Sequence, residues 1–80
     1  MFTPPYQEKK MAQEKFDKRF GMVAIEKQFI TSEQLLNAIK IQINEDIAGD
    51  KHRLIGEVLM DEGYIIQIQI DEVLTALGLL

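Results

Sequence analysis

An internal repeat constrains this sequence more than any other feature, and it appears when the chain is shifted against itself by 35 residues. Glycine then falls on glycine and apolar residues fall on apolar residues: Gly21, Ile25, Ile30, Leu35 and Ile39 match Gly56, Met60, Ile65, Ile70 and Leu74. Such a repeat indicates one supersecondary unit used twice, with neither copy able to bury its apolar face alone. The sequence therefore predicts an all-α fold of two stacked helical hairpins, which are duplicated helix-turn-helix units with about four helices.

Periodicity and capping signals place the first two helices. Apolar residues recur at near-helical spacing over residues 7–27, after a loose lead-in at residues 1–6 that contains two prolines. Thr31 and Gln34 fit a capping box, in which each residue satisfies a backbone amide of the other, so a second helix should begin there. The polar stretch 44–51 is typical of a helix stop followed by a loop.

The second copy contains one ambiguous segment. A third helix is predicted over residues 54–62, ending at Gly63. Residues 64–70 then alternate apolar and polar side chains, which alone is typical of a strand. A helix over residues 67–77 is favoured, because later apolar residues fall at helical spacing and no second strand is available for pairing.

The turn inside each hairpin depends on the residue after the first helix. In the second copy Gly63 can adopt the left-handed conformation that ends a helix, and Tyr64 and Ile65 then fold back. The equivalent position in the first copy is Gln28. Either Gln28 adopts the same conformation at a cost of roughly 1 kcal/mol, or the first turn differs.

Length, charge and cysteine content narrow the class of protein. Eighty residues allow one domain with a thin core, and the absence of cysteine excludes disulfides and thiolate chemistry. The net charge of −4 is uneven, because residues 1–20 carry five basic against three acidic groups and the rest carry four against ten. The acidic charge of residues 21–80 argues against nucleic-acid binding, including binding by a helix-turn-helix DNA-binding domain. The apolar runs are too short for membrane insertion and no signal peptide is evident, so we expect a cytoplasmic protein.

Neither catalysis nor metal binding is indicated by the residues present. His52 is the only histidine, so a histidine-based metal site or catalytic dyad lacks its second member. The acidic residues do not follow calcium-loop spacing, and the adjacent acidic pairs point to different sides of a helix. There is also no phosphate-binding loop. We therefore expect no enzyme activity and no cofactor.

Read in order, the repeat resembles a known module. The first copy has Arg19-Phe20-Gly21, then Ile30, Leu35, Ala38-Ile39 and Gln42, and the second has Gly56, Leu59, Gly63, Ile65 and Leu74. This order is similar to the pattern RLGxxLxxxGxIxxxxLxxALxxQ of the MshE N-terminal (MshEN) family, the N-terminal domain of type II secretion (GspE-like) and type IV pilus extension ATPases. The resemblance covers about residues 19–77 and implies a stand-alone bacterial relative of that domain.

Some members of this family bind cyclic di-GMP, so the resemblance implies candidate ligand-binding residues: Arg19, Phe20, Gly21, Leu35, Gln42, Arg53 and Gly56. A guanidinium suits a guanine edge because it donates in a fork, and glycine lets backbone amides approach a phosphate. Structural roles are the alternative, with both arginines as solvated helix-end residues, Gln42 as a half-buried amide and Gly56 as a packing position. The copies differ most at polar positions, since Leu77 stands where Gln42 would recur.

Two functions remain open. The first is a regulatory or adaptor domain that docks on a protein partner, with cyclic di-GMP as a candidate ligand. The second is a plain protein–protein interaction or homo-oligomerisation module, with an exposed apolar patch contributed by Phe16, Phe20, Met22 and Met60. Under either function the predicted organisation is the same: residues 1–18 form a basic lead-in and the start of the first helix. Residues 19–80 form the duplicated domain, with repeat units at about 19–45 and 53–79.

Overall fold

Four helices make up the described part of the chain. The structure is a computed structural model that describes residues 5–49 and 52–80, with side chains from Gln13 onward in the first range. The helices are α1 (Pro5–Glu26), α2 (Ser32–Ala48), α3 (Ile55–Asp61) and α4 (Gln67–Ala76). No strand occurs in these two ranges, so the predicted all-α fold is confirmed and residues 67–70 are helical.

The helix boundaries differ from the prediction by more than one residue at two places. Helix α1 begins at Pro5 rather than residue 7, because proline at the first helical position lacks an amide that would be unpaired there anyway. Residues 1–4 of the predicted lead-in lie outside the described residues. Helix α2 continues through the polar stretch to Ala48, and Gly49 ends it with a left-handed φ of 76°.

A capping box begins α2, as predicted. The Gln34 amide donates to Thr31 Oγ1 at 3.1 Å, and the Thr31 amide donates to Gln34 Oε1 at 3.0 Å. The second copy repeats half of this arrangement, since the Ile66 amide donates to Gln69 Oε1 at 3.1 Å. Ile66 has no side-chain acceptor for the other half. The repeat therefore extends to individual hydrogen bonds, because Ile66 and Gln69 follow Thr31 and Gln34 by 35 residues.

The two interhelix turns have the same backbone hydrogen bonds. Phe29 N donates to Ala24 O at 3.0 Å, and Tyr64 N donates to Leu59 O at 2.9 Å. The residue before each donor is left-handed, with φ of 63° at Gln28 and 79° at Gly63. Gln28 thus adopts the left-handed conformation despite its strain, and the first turn has the same form as the second.

The core is shared between the repeats. Its buried members form one cluster, and most lie at equivalent positions of the two copies: Phe20 and Ile55, Ala24 and Leu59, Ile30 and Ile65, Ala38 and Val73, with Val58 in addition. The extensive helix contacts among the described residues are α2 with α3, α1 with α3 and α1 with α4. Each of these contacts joins a helix of one copy to a helix of the other, as expected if neither unit can bury its own apolar face.

The two turns allow a matched test of backbone strain. We expect Gln28→Gly to raise the free energy of unfolding by roughly 0.5–1 kcal/mol, because glycine removes the left-handed strain at a smaller entropic cost. Gly63→Ala should lower it by a similar amount, and because no atom lies within 4 Å of the added Cβ, the loss would come from the backbone alone. Chemical denaturation of the three proteins measures both changes. A destabilised Gln28→Gly variant would contradict this account.

Candidate functional site

A concave groove lies between α1 and α2. It has a volume of about 350 Å³ and an apolar lining of Met22, Leu35, Ile39 and Ile55. Polar side chains stand along its sides: Glu14, Asp17, Lys18 and Gln42. The groove exists because α1 and α2 both pack on α3 more than on each other, and buried Ile55 of α3 closes its base. An apolar base with a few polar groups at the rim is typical of a binding site.

Gln42 and Asp17 form a hydrogen-bonded crosslink at the groove. Gln42 Nε2 donates to Asp17 Oδ2 at 2.9 Å and to the carbonyl oxygen of Arg53 at 2.9 Å. Asp17 Oδ1 accepts from the Ile55 amide at 3.1 Å, so a carboxylate on α1 satisfies the first amide of α3. These three hydrogen bonds tie α1, α2 and the start of α3 together.

Arg53 is the centre of a neighbouring ion-pair cluster. Its Nε donates to Glu45 Oε1 and Oε2 at 3.1 and 3.0 Å, and its Nη1 donates to Asp61 Oδ2 at 2.6 Å. Hydrogen bonding to Glu45, and secondly to Asp61, raises the pKa of Arg53 above its ordinary value. In the same loop His52 Nδ1 contacts Asp46 Oδ1. The loop before α3 is thereby held to α2 on one side and to α3 on the other.

Of the predicted ligand-binding residues, Leu35 and Gln42 line the groove. Gly21 lies directly beneath Leu35, whose Cδ2 would be 2.8 Å from a Cβ at that glycine. The structure thus brings Leu35, Gln42 and Gly21 to one place. Gln42 already uses its amide nitrogen within the protein, as its alternative structural role predicts.

The other predicted residues lie elsewhere. Phe20 is only 1% exposed, and its ring fills the space beside Gly56, with Cζ 3.1 Å from a Cβ placed there. Arg19 is exposed on α1, and Arg53 is engaged by its two carboxylates. Arg19, Gln42 and Gly56 are therefore not brought together as lining residues of this groove.

The predicted apolar patch needs a correction. Phe20 is a core residue rather than a surface residue, because its ring is enclosed against α3. Phe16 is half-buried against the same core, with its ring centroid 6.1 Å from that of Phe20. Met22 and Met60 are exposed, but Met22 lines the groove on α1 and Met60 lies on α3.

Sequence reasoning missed the roles of Asp17 and Glu45, two of the carboxylates that hold the loop before α3 and the start of α3. Glu45 precedes Arg53 by eight residues across a loop, a spacing with no characteristic pattern. Asp17 lies in a lysine-rich stretch and meets Ile55, 38 residues later, only through the tertiary fold. Neither residue carries a local signal that distinguishes it from an ordinary solvated acid.

Three further observations concern the described residues. No group of three histidine or acidic side chains with metal-binding geometry occurs among them. A shallower depression of about 470 Å³ beside α4 is lined by groups that include Lys27, Asp71 and Glu72. Within the described residues, no helix is both long enough and apolar enough to cross a bilayer.

Comparisons of the chain with protein-family models, curated proteins and solved structures found no match. The resemblance to the MshEN family therefore stays a prediction from the residues quoted above.

The crosslink at the groove gives a stability prediction. Asp17→Ala removes the acceptor of the Ile55 amide and one acceptor of Gln42, so we expect the free energy of unfolding to fall by about 1–3 kcal/mol. Glu14→Ala is the matched control, since Glu14 lies nearly one turn away on α1 at the rim of the same groove and is exposed. It should change stability by less than about 0.5 kcal/mol. Equal effects of the two variants in urea denaturation would show that the crosslink does not stabilise the fold.

Proposed function

We propose that this protein is a non-catalytic adaptor domain that docks on a protein partner through the groove between α1 and α2. The observation that carries the proposal is the composition of the groove, where Met22 and Ile39 are exposed around a base formed by Ile55. Exposed aliphatic side chains around a concavity gain free energy when a partner covers them.

The shape and charge of the groove favour an amphipathic helix as the bound element. Its walls are two helices, and a third helix can place apolar side chains at positions i, i+3 or i+4 and i+7 between them. Glu14 and Asp17 outnumber Lys18 among the charged residues of the groove, so a partner helix with basic residues beside its apolar face would be attracted. Glu14 and Lys18 at the rim offer one charge of each sign for orienting it.

The resemblance to the secretion and pilus ATPases suggests where such a partner belongs. The repeat resembles the N-terminal domain of those ATPases, and that resemblance implies a duplicated helical architecture. We propose a cytoplasmic role in a bacterial type II secretion or type IV pilus system. The domain would act there by docking on a protein partner.

Docking can be tested by site-specific photo-crosslinking in cells that naturally produce the protein. A photoreactive phenylalanine analogue in place of Met22 should give a discrete adduct with a partner, which mass spectrometry identifies. The same analogue at Ile66, an exposed aliphatic position at the start of α4, is the control and should not give that adduct. Absence of the adduct at Met22, or equal yields from both positions, would contradict docking at the groove.

Cyclic di-GMP binding is a second candidate function, favoured by one observation. Leu35 and Gln42, two of the residues implied to bind it, line the same groove as Lys18, whose ammonium could face a phosphate. Ligand that binds only the folded protein raises its stability by about 2.7 kcal/mol at a hundred times the dissociation constant.

The nucleotide is tested by thermal unfolding and calorimetric titration. This second candidate predicts a rise in melting temperature and measurable binding heat with high-micromolar cyclic di-GMP. Cyclic di-AMP has the same phosphates but a different base, so it is the matched control and should bind more weakly. If cyclic di-GMP gives no binding heat and no shift in melting temperature, this second candidate function is ruled out, while the docking proposal is not affected.

A further inference from the structure

The groove between α1 and α2 differs in chemistry from one end to the other. At one end Gln42 Nε2 on α2 donates to Asp17 Oδ2 on α1 at 2.9 Å. One turn further along α1, Gly21 lies beneath the side chain of Leu35. Positions 17 and 21 of α1 thus lie beside positions 42 and 35 of α2, so the two helices run antiparallel along the groove. The direction along α1 from position 14 to position 22 therefore also runs along the groove.

The polar end of the groove, formed by Glu14, Asp17 and Gln42, offers hydrogen-bond acceptors only. Both amide hydrogens of Gln42 are used, because Nε2 also donates to the carbonyl oxygen of Arg53 at 2.9 Å. Its Oε1 accepts no hydrogen bond from another described residue. Ionised carboxylates accept hydrogen bonds and donate none. A group bound at the polar end must therefore supply the donors.

Glu14 is the carboxylate at this end that the protein itself leaves without a partner. The two oxygens of Asp17 accept from Ile55 N and from Gln42 Nε2. Glu14 is exposed and forms no ion pair with another described residue, including Lys18 one turn later on the same side of α1. A cation supplied by a partner would meet an unpaired carboxylate here.

The apolar end of the groove, formed by Met22, Leu35 and Ile39, brings no charged side chain to the surface. Met22 is 50% exposed and Ile39 is 37% exposed, so both have apolar surface that a partner can cover. Lys18 stands between the two ends, one turn from Glu14 and one turn from Met22. The apolar end favours aliphatic or aromatic side chains.

We propose that the docked helix places a basic side chain at the polar end and an apolar side chain at the apolar end. This inference rests on the proposed docking function and adds the order of residues in the partner. Glu14 and Met22 are eight residues apart on α1, which is about 12 Å. A helix that lies along the groove covers that length with about eight residues of its own. The two anchoring residues of the partner are therefore about two turns apart.

Charge complementarity selects the basic residue. An acidic side chain at the polar end would face acceptors only, and like charges across an interface oppose association. Arginine suits this end better than lysine, because its planar guanidinium donates in several directions and the acceptors belong to two different helices. Glu14 is thus a residue that determines which partner helix binds.

A charge reversal at the groove tests the proposal. Glu14→Lys, in the protein that carries the photoreactive analogue in place of Met22, should lower the yield of the partner adduct by at least about threefold, because two cations then face each other. Glu26→Lys is the matched control, since Glu26 is also exposed on α1 and changes the net charge equally but does not line the groove. It should leave the yield within about twofold of the unreversed protein. Equal yields from the two charge variants would overturn the proposal.

The sequence of the partner gives a second test. Mass spectrometry of the adduct identifies the partner residue that reacts with the analogue at position 22. A lysine or arginine should lie about seven or eight residues from it on one side, within the same helix. An analogue in place of Glu14 should then react close to that basic residue. Adducts from the two positions that map to the same residue, or a partner helix with no basic residue at that distance, would overturn the proposal.

The order of residues and the docking itself can fail separately. No adduct from the analogue in place of Met22, before any charge is reversed, would remove docking at the groove. A strong adduct that Glu14→Lys leaves unchanged would keep docking and overturn only the basic residue at the polar end. Circular dichroism of both charge variants checks that a lower yield does not come from unfolding.

Discussion

The fold depends on apolar burial between the two copies of the repeat. Phe20 of the first copy lies against Gly56 of the second, where the absence of a side chain lets α1 approach α3 closely. The equivalent glycine of the first copy, Gly21, is covered by Leu35 from its own copy. The copies are therefore similar in sequence but not in what their glycines contact. This asymmetry lets α3 serve as the helix on which both α1 and α2 pack.

The groove is a consequence of the same arrangement. Because α1 and α2 contact α3 more than each other, their facing sides are separated, and Ile55 of α3 lies between them at the base. The separation is held by Gln42, which reaches Asp17 and the carbonyl of Arg53. Gln42 and Asp17, which are polar groups available to a ligand, thus also hold α1 and α2 in position. A ligand or partner at the groove would meet a surface whose geometry is set before binding, which lowers the entropic cost of association.

Helix α2 has well-capped ends but leaves much of its apolar surface exposed. It has a complete capping box at its start and a left-handed glycine at its end, so its backbone hydrogen bonds are satisfied locally. Its apolar side chains, in contrast, are divided among core, groove and solvent. The local signals that make α2 easy to predict say nothing about which of its faces is covered. That distinction explains how Ile39 and Ile43 can lie at helical spacing from Leu35 and still be exposed in the structure.

The sequence by itself determined the all-α class, the four helices, the repeat and the two turns. These features follow from apolar periodicity, capping residues and the few positions where the backbone is left-handed, all of which act over a few residues. It also identified Gln28, the equivalent of Gly63, as the position where the first turn would be either strained or different, and the left-handed φ of 63° decided between the two. Helix ends were less certain, since α1 began earlier and α2 ended later than the local signals indicated.

Only the tertiary structure decided which helices meet and which polar groups pair. The hydrogen bonds of Asp17 with Gln42 and Ile55 join residues 25 and 38 positions apart. The same holds for the burial of Phe20, the enclosure of Gly56 and the exposure of Leu36, Ile43 and Ile47 on α2. The physical reason is that periodicity shows that a helix has an apolar face, while the packing of the other helices determines how much of that face is left for a partner.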